Sequence, residues 1–217
     1  GAAPFAMQLA ASAVNGLLNN QLQRYGGDAA ISAMGIIFSV ITFIVMPLFG
    51  LNQGNQPIVG YNYGAKNFER VRKTMLLAIG AASATVLSGF LVAQLAAPAL
   101  ARAFAGGSTE LVALASRALR MYTLGLPLIG FQIVAAGYFQ ASGKPREAMF
   151  LSLSRQVILL IPLFIILPLR FGLDGVWMAP PISDFLSALL TGVFFFRELR
   201  SLGVKNAAAL SEAAATA

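Results

Sequence analysis

The chain has 217 residues, 58% of them hydrophobic and 11% charged, with 15 Lys and Arg against 8 Asp and Glu; its mean hydropathy is +0.75. A soluble domain of this composition would aggregate, and the apolar runs reach the roughly 20 residues that a helix needs to cross a bilayer core, so the sequence reads as an all-α integral membrane protein. The absence of His and Cys excludes thiolate nucleophiles, disulfides, imidazole bases and the usual zinc or haem ligands, so neither a metal site nor a cofactor is expected.

Six transmembrane helices are predicted, at about residues 5–23, 29–51, 68–103, 111–140, 147–169 and 173–196, forming one bundle over residues 1–200. The chain starts with Gly, shows no cleavable leader and opens in an apolar helix, so it is read as a piece of a longer protein. Its end, residues 201–217, is small and polar and is expected to be a disordered cytoplasmic tail. With the N-terminus inside, Lys66, Arg70, Arg72, Lys73, Lys144, Arg146, Arg155, Arg197, Arg200 and Lys205 fall on the cytoplasmic side, ten of the fifteen cations. Arg24, Arg102, Arg117, Arg120 and Arg170 fall outside, and this bias predicts both termini in the cytoplasm. The cations therefore read as topology signals rather than as a nucleic-acid surface, and no nucleic-acid partner is expected.

On the first helix, Gln8, Ser12, Asn15 and Asn19 recur at spacings of 4, 3 and 4, which keeps them within a stripe roughly 60° wide. Polar side chains of this kind avoid lipid and turn either toward a wet cavity or toward neighbouring helices as interhelical hydrogen-bonding groups. On the second helix Pro47, and on the fourth Pro127 with Gly125, Gly130 and Gly137 around it, remove backbone donors within the membrane and are candidate hinges; static kinks are the alternative. Phe131 and Gln132, beside Pro127, pair an aromatic ring with a carboxamide near mid-membrane, suited to an amphipathic ligand or, for Phe131, to packing alone.

Two charges interrupt apolar helices, Arg155 on the fifth and Asp184 on the sixth. A lone charge at such a depth costs about 3 kcal/mol, so each calls for a partner. The short turn at residues 170–174 makes these helices antiparallel neighbours, and reflection through it leaves the two residues about 7 Å apart along the axis. An ion pair is expected, acting either as a staple that fixes helix register or as a cation-coupling site.

The segment between the second and third helices reads GNQPIVGYNYGAKN from Gly54 to Asn67, and the Gln53 to Ala65 stretch is expected to be a cytoplasmic structural loop, since its Gly and Asn residues suit turns. Together with LQRYGGD (22–28), ASGKP (141–145) and GVWMAPPISD (175–184), it resembles the second half of multidrug and toxic compound extrusion (MATE) transporters. The likeness covers nearly the whole chain in order. It implies a parallel-repeat protein of twelve helices in two bundles, with this chain supplying helices seven to twelve and a missing N-terminal six-helix bundle as its partner in the plasma (inner) membrane.

The activity implied by the resemblance is secondary active efflux, in which cationic amphipathic drugs leave against entering H⁺ or Na⁺. Gln8, Ser12, Asn15, Asn19, Phe131 and Gln132 would then form this half's side of the substrate cavity. Some members carry coupling acids on the seventh and tenth helices. Here the first helix has none and the fourth only Glu110 at its outer mouth, which shifts a carboxylate coupling site toward the missing bundle. A lipid-linked oligosaccharide flippase of the same superfamily is the alternative, favoured if cations such as Arg155 and Arg120 point into the cavity. An enzyme is not expected, since every Lys lies in a loop and one acid alone lies clearly within the membrane.

Overall fold

The computed structural model describes residues 2–215, which form helices joined by tight turns. In chain order these are α1 (Ala2–Gly64), α2 (Phe68–Leu95), α3 (Ala97–Phe104), α4 (Thr109–Tyr122), a 3₁₀ turn (Thr123–Gly125), α5 (Leu126–Ala141), α6 (Pro145–Leu153), a π-helical segment (Ser154–Leu160) and α7 (Ile161–Ala215). Among the described residues, four stretches are long and apolar enough to cross a membrane: Met7–Gly64, Phe68–Leu95, Thr109–Ala141 and Pro145–Ala207.

The first and last of these are too long to be single straight spans. At 1.5 Å per residue, α1 would extend to roughly 95 Å, about three times the hydrocarbon thickness. Each instead breaks at a glycine with left-handed φ: Gly27 (φ 60°, ψ −156°) in α1 and Gly172 (φ 56°, ψ −134°) in α7. That backbone is open to glycine and strained for other residues. After Gly172 the chain doubles back tightly enough that a Cβ on Gly175 would lie 2.7 Å from the Pro168 nitrogen. The two breaks also meet, since a Cβ on Gly26 would come within 2.8 Å of the Leu173 side chain.

Packing follows from the apolar faces. Near the glycine breaks, Leu18, Leu22, Met34, Ile37, Phe164 and Trp177 form one cluster; toward the other end Val59, Met75, Tyr138, Phe139, Leu151 and Leu202 form another. Large apolar side chains also cover the outside, among them Phe43, Leu95, Leu169 and Phe196. This is the inverse of a soluble surface, and it suits lipid.

Glycines let helices approach closely. On α5, a Cβ at Gly130 would stand 3.0 Å from the Ala82 carbonyl of α2, and one at Gly137 would collide with Asn52 of α1. Gly125 sits against Pro181 and Asp184 of α7, 2.9 and 2.7 Å from where its Cβ would be. The three glycines that flank Pro127 are therefore contact points to three different helices.

Several boundaries differ from those expected. The segment read as a loop at 53–65 is helical as far as Gly64 and makes no long turn. One of its polar groups supports the helix directly, the Asn62 carboxamide donating 2.7 Å to the Ile58 carbonyl, while the Asn55 side chain is buried without a hydrogen-bond partner among the described residues, and the connection shrinks to 65–67. There Lys66 takes a left-handed φ of 57°, and the Asn67 side chain caps α2 by accepting from the Arg70 amide at 3.2 Å. The tail read as disordered is the end of α7, helical through Ala215, while residues 216–217 lie outside the described ones. Alanine is the strongest helix former, and its abundance there outweighs the low hydrophobicity. Lys205 also anchors this end, its ammonium donating 2.9 Å to the Tyr63 hydroxyl and lying over the Tyr63 and Phe68 rings.

Prolines subdivide the other predicted helices. The 68–103 run splits into α2 and α3 before Pro98, the 111–140 run at the 3₁₀ turn before Pro127, and the 147–169 run at the π segment before Pro162. In each case the ring displaces the carbonyl four residues earlier, so the preceding turn rewinds or ends.

Candidate functional site

The first half of α1 has two distinct faces. Ala10, Val14, Leu18 and Leu22 are buried in the bundle, at the i, i+4 spacing of one helix side. Gln8, Ser12, Asn15 and Asn19 are all exposed, together with Gly16, Asn20 and the apolar Phe5 and Leu9. The stripe thus points away from this bundle and makes no interhelical hydrogen bond among the described residues.

Phe131 and Gln132 are not brought to that stripe. Phe131 packs edge-on against Phe195 at 5.3 Å and lines an apolar groove of 840 Å³ between α2, α5 and α7, to which α1 contributes no residue. Gln132, about 100° further round the helix, is buried. Its Nε2 donates 2.9 Å to the Asp184 backbone carbonyl, and its Oε1 accepts from the Ser187 hydroxyl at 3.1 Å. Both sides of the carboxamide are satisfied by α7, as expected of a buried polar group.

Arg155 and Asp184 form an ion pair, Nε to Oδ1 at 2.7 Å. The carboxylate is 4% exposed and the guanidinium 35%. Arg155 stands in the π segment, where the wider winding leaves its carbonyl open to a second donor, and the Ser183 hydroxyl reaches it at 3.1 Å. A small cavity of 100 Å³ adjoins the pair, bounded by Gln132, Ser152, Gln156, Ser187 and Thr191 among others. A polar core therefore runs between α5, the π segment and α7, built from one charge pair and neutral donors.

Of the two candidate hinges, Pro127 is the second residue of α5, with Leu126 between it and the 3₁₀ turn that ends at Gly125. Pro47 lies within α1 where the helix is uninterrupted, exposed beside a groove it shares with Phe43, Ser88 and Phe104.

Residues outside the expected set complete the polar framework. Glu198, buried on α7, accepts from the Tyr138 hydroxyl at 2.8 Å and pairs with Lys144. At the opposite end Arg117 pairs with Asp174, and Gln94 donates to the Arg120 carbonyl at 2.8 Å and to Thr123 Oγ1 at 3.0 Å. Glu198 carried little signal in the sequence because it stands between Arg197 and Arg200, where an acid reads as a solvated charge. The proline kinks and the ASGKP turn bring Tyr138 and Lys144 to it.

A multi-pass bundle of membrane-length helices, with a polar stripe on its outer side and a buried ion pair inside it, belongs to the helical membrane transporters. The chain is a member of the MatE family, whose family model matches residues 4–166. It is 27% identical over 199 residues to the multidrug export protein MepA of Staphylococcus haemolyticus (strain JCSC1435), covering 92% of this chain and 43% of that protein. It is 28% identical over 179 residues to MepA of Staphylococcus aureus (strain MSSA476), with 80% and 38% covered. Among solved structures, the MATE multidrug transporter DinF-BH superposes with a TM-score of 0.79 at 42% identity, over 90% of this chain and 44% of that one. A MATE in the bent conformation gives 0.85 at 23% identity, covering 93% and 44%, and shares the fold. The chain spans less than half the length of these relatives.

Proposed function

We propose that this chain is one half of a secondary active exporter of cationic, amphipathic small molecules, with the Gln8, Ser12, Asn15 and Asn19 stripe lining a cavity shared with a second bundle. The observation that carries this is the exposure of the stripe while the Ala10, Val14, Leu18 and Leu22 face of the same helix is buried. Four polar side chains over about 16 Å of helix would be costly against lipid, and a wet cavity between two bundles removes that cost. The relatives named as multidrug export proteins, of which this chain matches less than half, support a partner bundle of similar size.

In this reading the chain crosses the membrane six times, reversing at Gly27 and Gly172, with both termini on the cytoplasmic face of the plasma (inner) membrane. Lys144, Glu198 and Lys205 would lie at that face and the Arg117–Asp174 pair at the other. H⁺ or Na⁺ would drive export, with its carboxylate supplied by the other bundle. Arg155 and Asp184 would hold the two arms of the α7 hairpin in register, and the 3₁₀ turn before Pro127 would flex as the cavity changes its opening. The flippase alternative requires unneutralised cations in the cavity; of its two candidates Arg155 is neutralised by Asp184, which leaves Arg120, exposed at the end of α4, as the one cation that would support it.

The test is ethidium accumulation in cells expressing the full-length gene. Lower accumulation than in control cells, abolished by an ionophore that dissipates the H⁺ or the Na⁺ gradient, is expected. Unchanged accumulation of ethidium and of other lipophilic cations contradicts the proposal.

A further inference from the structure

We propose that the groove between α2, α5 and α7 holds an anionic phospholipid, its acyl chains along the groove and its phosphate at Arg197 and Arg200. The lining is apolar for most of its length, from Phe185, Leu189 and Val193 on α7 to Leu76 on α2 and Leu128 on α5, and the two arginines close one end. Arg197 and Arg200 are three residues apart, so both side chains lie on the same side of the helix. Both are exposed, and neither forms an ion pair among the described residues, because Glu198 between them turns inward to Tyr138 and Lys144. Arg72 and Lys73, one turn before Leu76, are exposed and unpaired in the same way and add positive charge to this end.

The dimensions fit one leaflet. From Phe185, next to the buried ion pair, to Arg197 is 12 residues, or about 18 Å of helix, against roughly 15 Å for half the hydrocarbon core. The arginines therefore reach headgroup depth when Phe185 is near the midplane, where clustered cations between helices favour anionic lipid headgroups. The same arginines repel a cationic drug, so the groove is not a second drug site. The inference rests on membrane insertion alone and stands apart from the export reading.

The test uses the full-length protein purified in detergent, with native mass spectrometry and thermal unfolding as readouts and phosphatidylglycerol, phosphatidylcholine and inorganic phosphate as probes. Phosphatidylglycerol is expected to bind and to raise the melting temperature, phosphatidylcholine and phosphate to do neither. R197Q/R200Q is expected to weaken phosphatidylglycerol binding by about 30-fold, at about a factor of five per cation removed near a membrane surface. R102Q, at the other end of the bundle, should leave it unchanged. Should R197Q/R200Q fail to fold, Val193→Trp, which fills the groove and keeps both arginines, should reduce phosphatidylglycerol binding alike. Equal binding of both lipids, an equal effect of free phosphate, or unchanged binding in the variants overturns the proposal, as does a second copy or the other bundle covering the groove in a cross-linking experiment from position 193.

Discussion

Replacing Asp184 by Asn removes a charge and little else. Asn keeps an oxygen acceptor at the position that receives the Arg155 Nε hydrogen at 2.7 Å, so the contact changes from a charge-assisted to a neutral hydrogen bond. That difference is about 1 to 1.5 kcal/mol. The guanidinium also loses its counter-charge, and breaking a fully buried pair from one side costs roughly 3–5 kcal/mol. Arg155 is 35% exposed, so much of that is screened, and a net destabilisation of about 2 kcal/mol is expected for D184N. R155Q strands the carboxylate, which is 4% exposed, and should cost more, about 3 kcal/mol. The double variant R155Q/D184N leaves no orphan charge and should be no less stable than either single variant, a coupling of about 3 kcal/mol in the cycle. Thermal unfolding of the purified full-length proteins measures all four corners, and ethidium efflux in cells reports function beside it. Additive losses in the double variant would refute the pairing energetics. Loss of efflux in D184N at wild-type stability would assign Asp184 to coupling instead of register.

The glycine contacts make a second case: Gly130→Ala puts a methyl 3.0 Å from the Ala82 backbone, where neither helix can move aside cheaply. It should destabilise by about 1–3 kcal/mol, whereas Gly16→Ala, with open space around it, should be near neutral by the same unfolding assay. Ser183→Ala removes the hydroxyl that serves the Arg155 carbonyl in the π segment and should cost about 1 kcal/mol; an unchanged melting temperature would show that the carbonyl is satisfied without it. For orientation, cysteines at Asn67 and Lys144 should resist an impermeant thiol reagent in intact cells while one at Gly107 reacts, and the reverse pattern would invert the topology.

Much of the fold was legible because membrane-length apolar runs and turn glycines are strong signals. The Arg155–Asp184 pair followed from reflecting one helix onto the next, since a short turn leaves few alternatives. Helix ends were less legible. The 53–64 stretch looks like a loop by its Gly, Asn and Pro content, yet Asn and Gln side chains can serve a helical backbone outside the lipid, and Pro57 is accommodated within the helix. The disagreement over residues 201–215 has the same origin, because small residues with few large apolar ones describe both a disordered tail and an alanine helix. At the site, the spacing of Gln8, Ser12, Asn15 and Asn19 marked a common face, but sequence adjacency misled for Phe131 and Gln132. Neighbours on a helix point about 100° apart, and one fills an apolar groove while the other binds α7. Nothing local marked Glu198 as buried, because its partners come from α5 and from the turn before α6.

The central claim, that the first half of α1 presents a wetted transport surface, is tested most directly by cysteine accessibility with substrate protection in the full-length protein. Cysteines at Gln8, Ser12, Asn15 and Asn19 should react with a small hydrophilic thiol reagent and be protected by ethidium, while cysteines at Val14 and Leu18, 9% and 2% exposed, should stay unreactive. Asn15→Leu should lower ethidium export at near-normal expression. Unreactive stripe positions, or labelling that substrate does not slow, would contradict the account and assign these residues to contacts between helices.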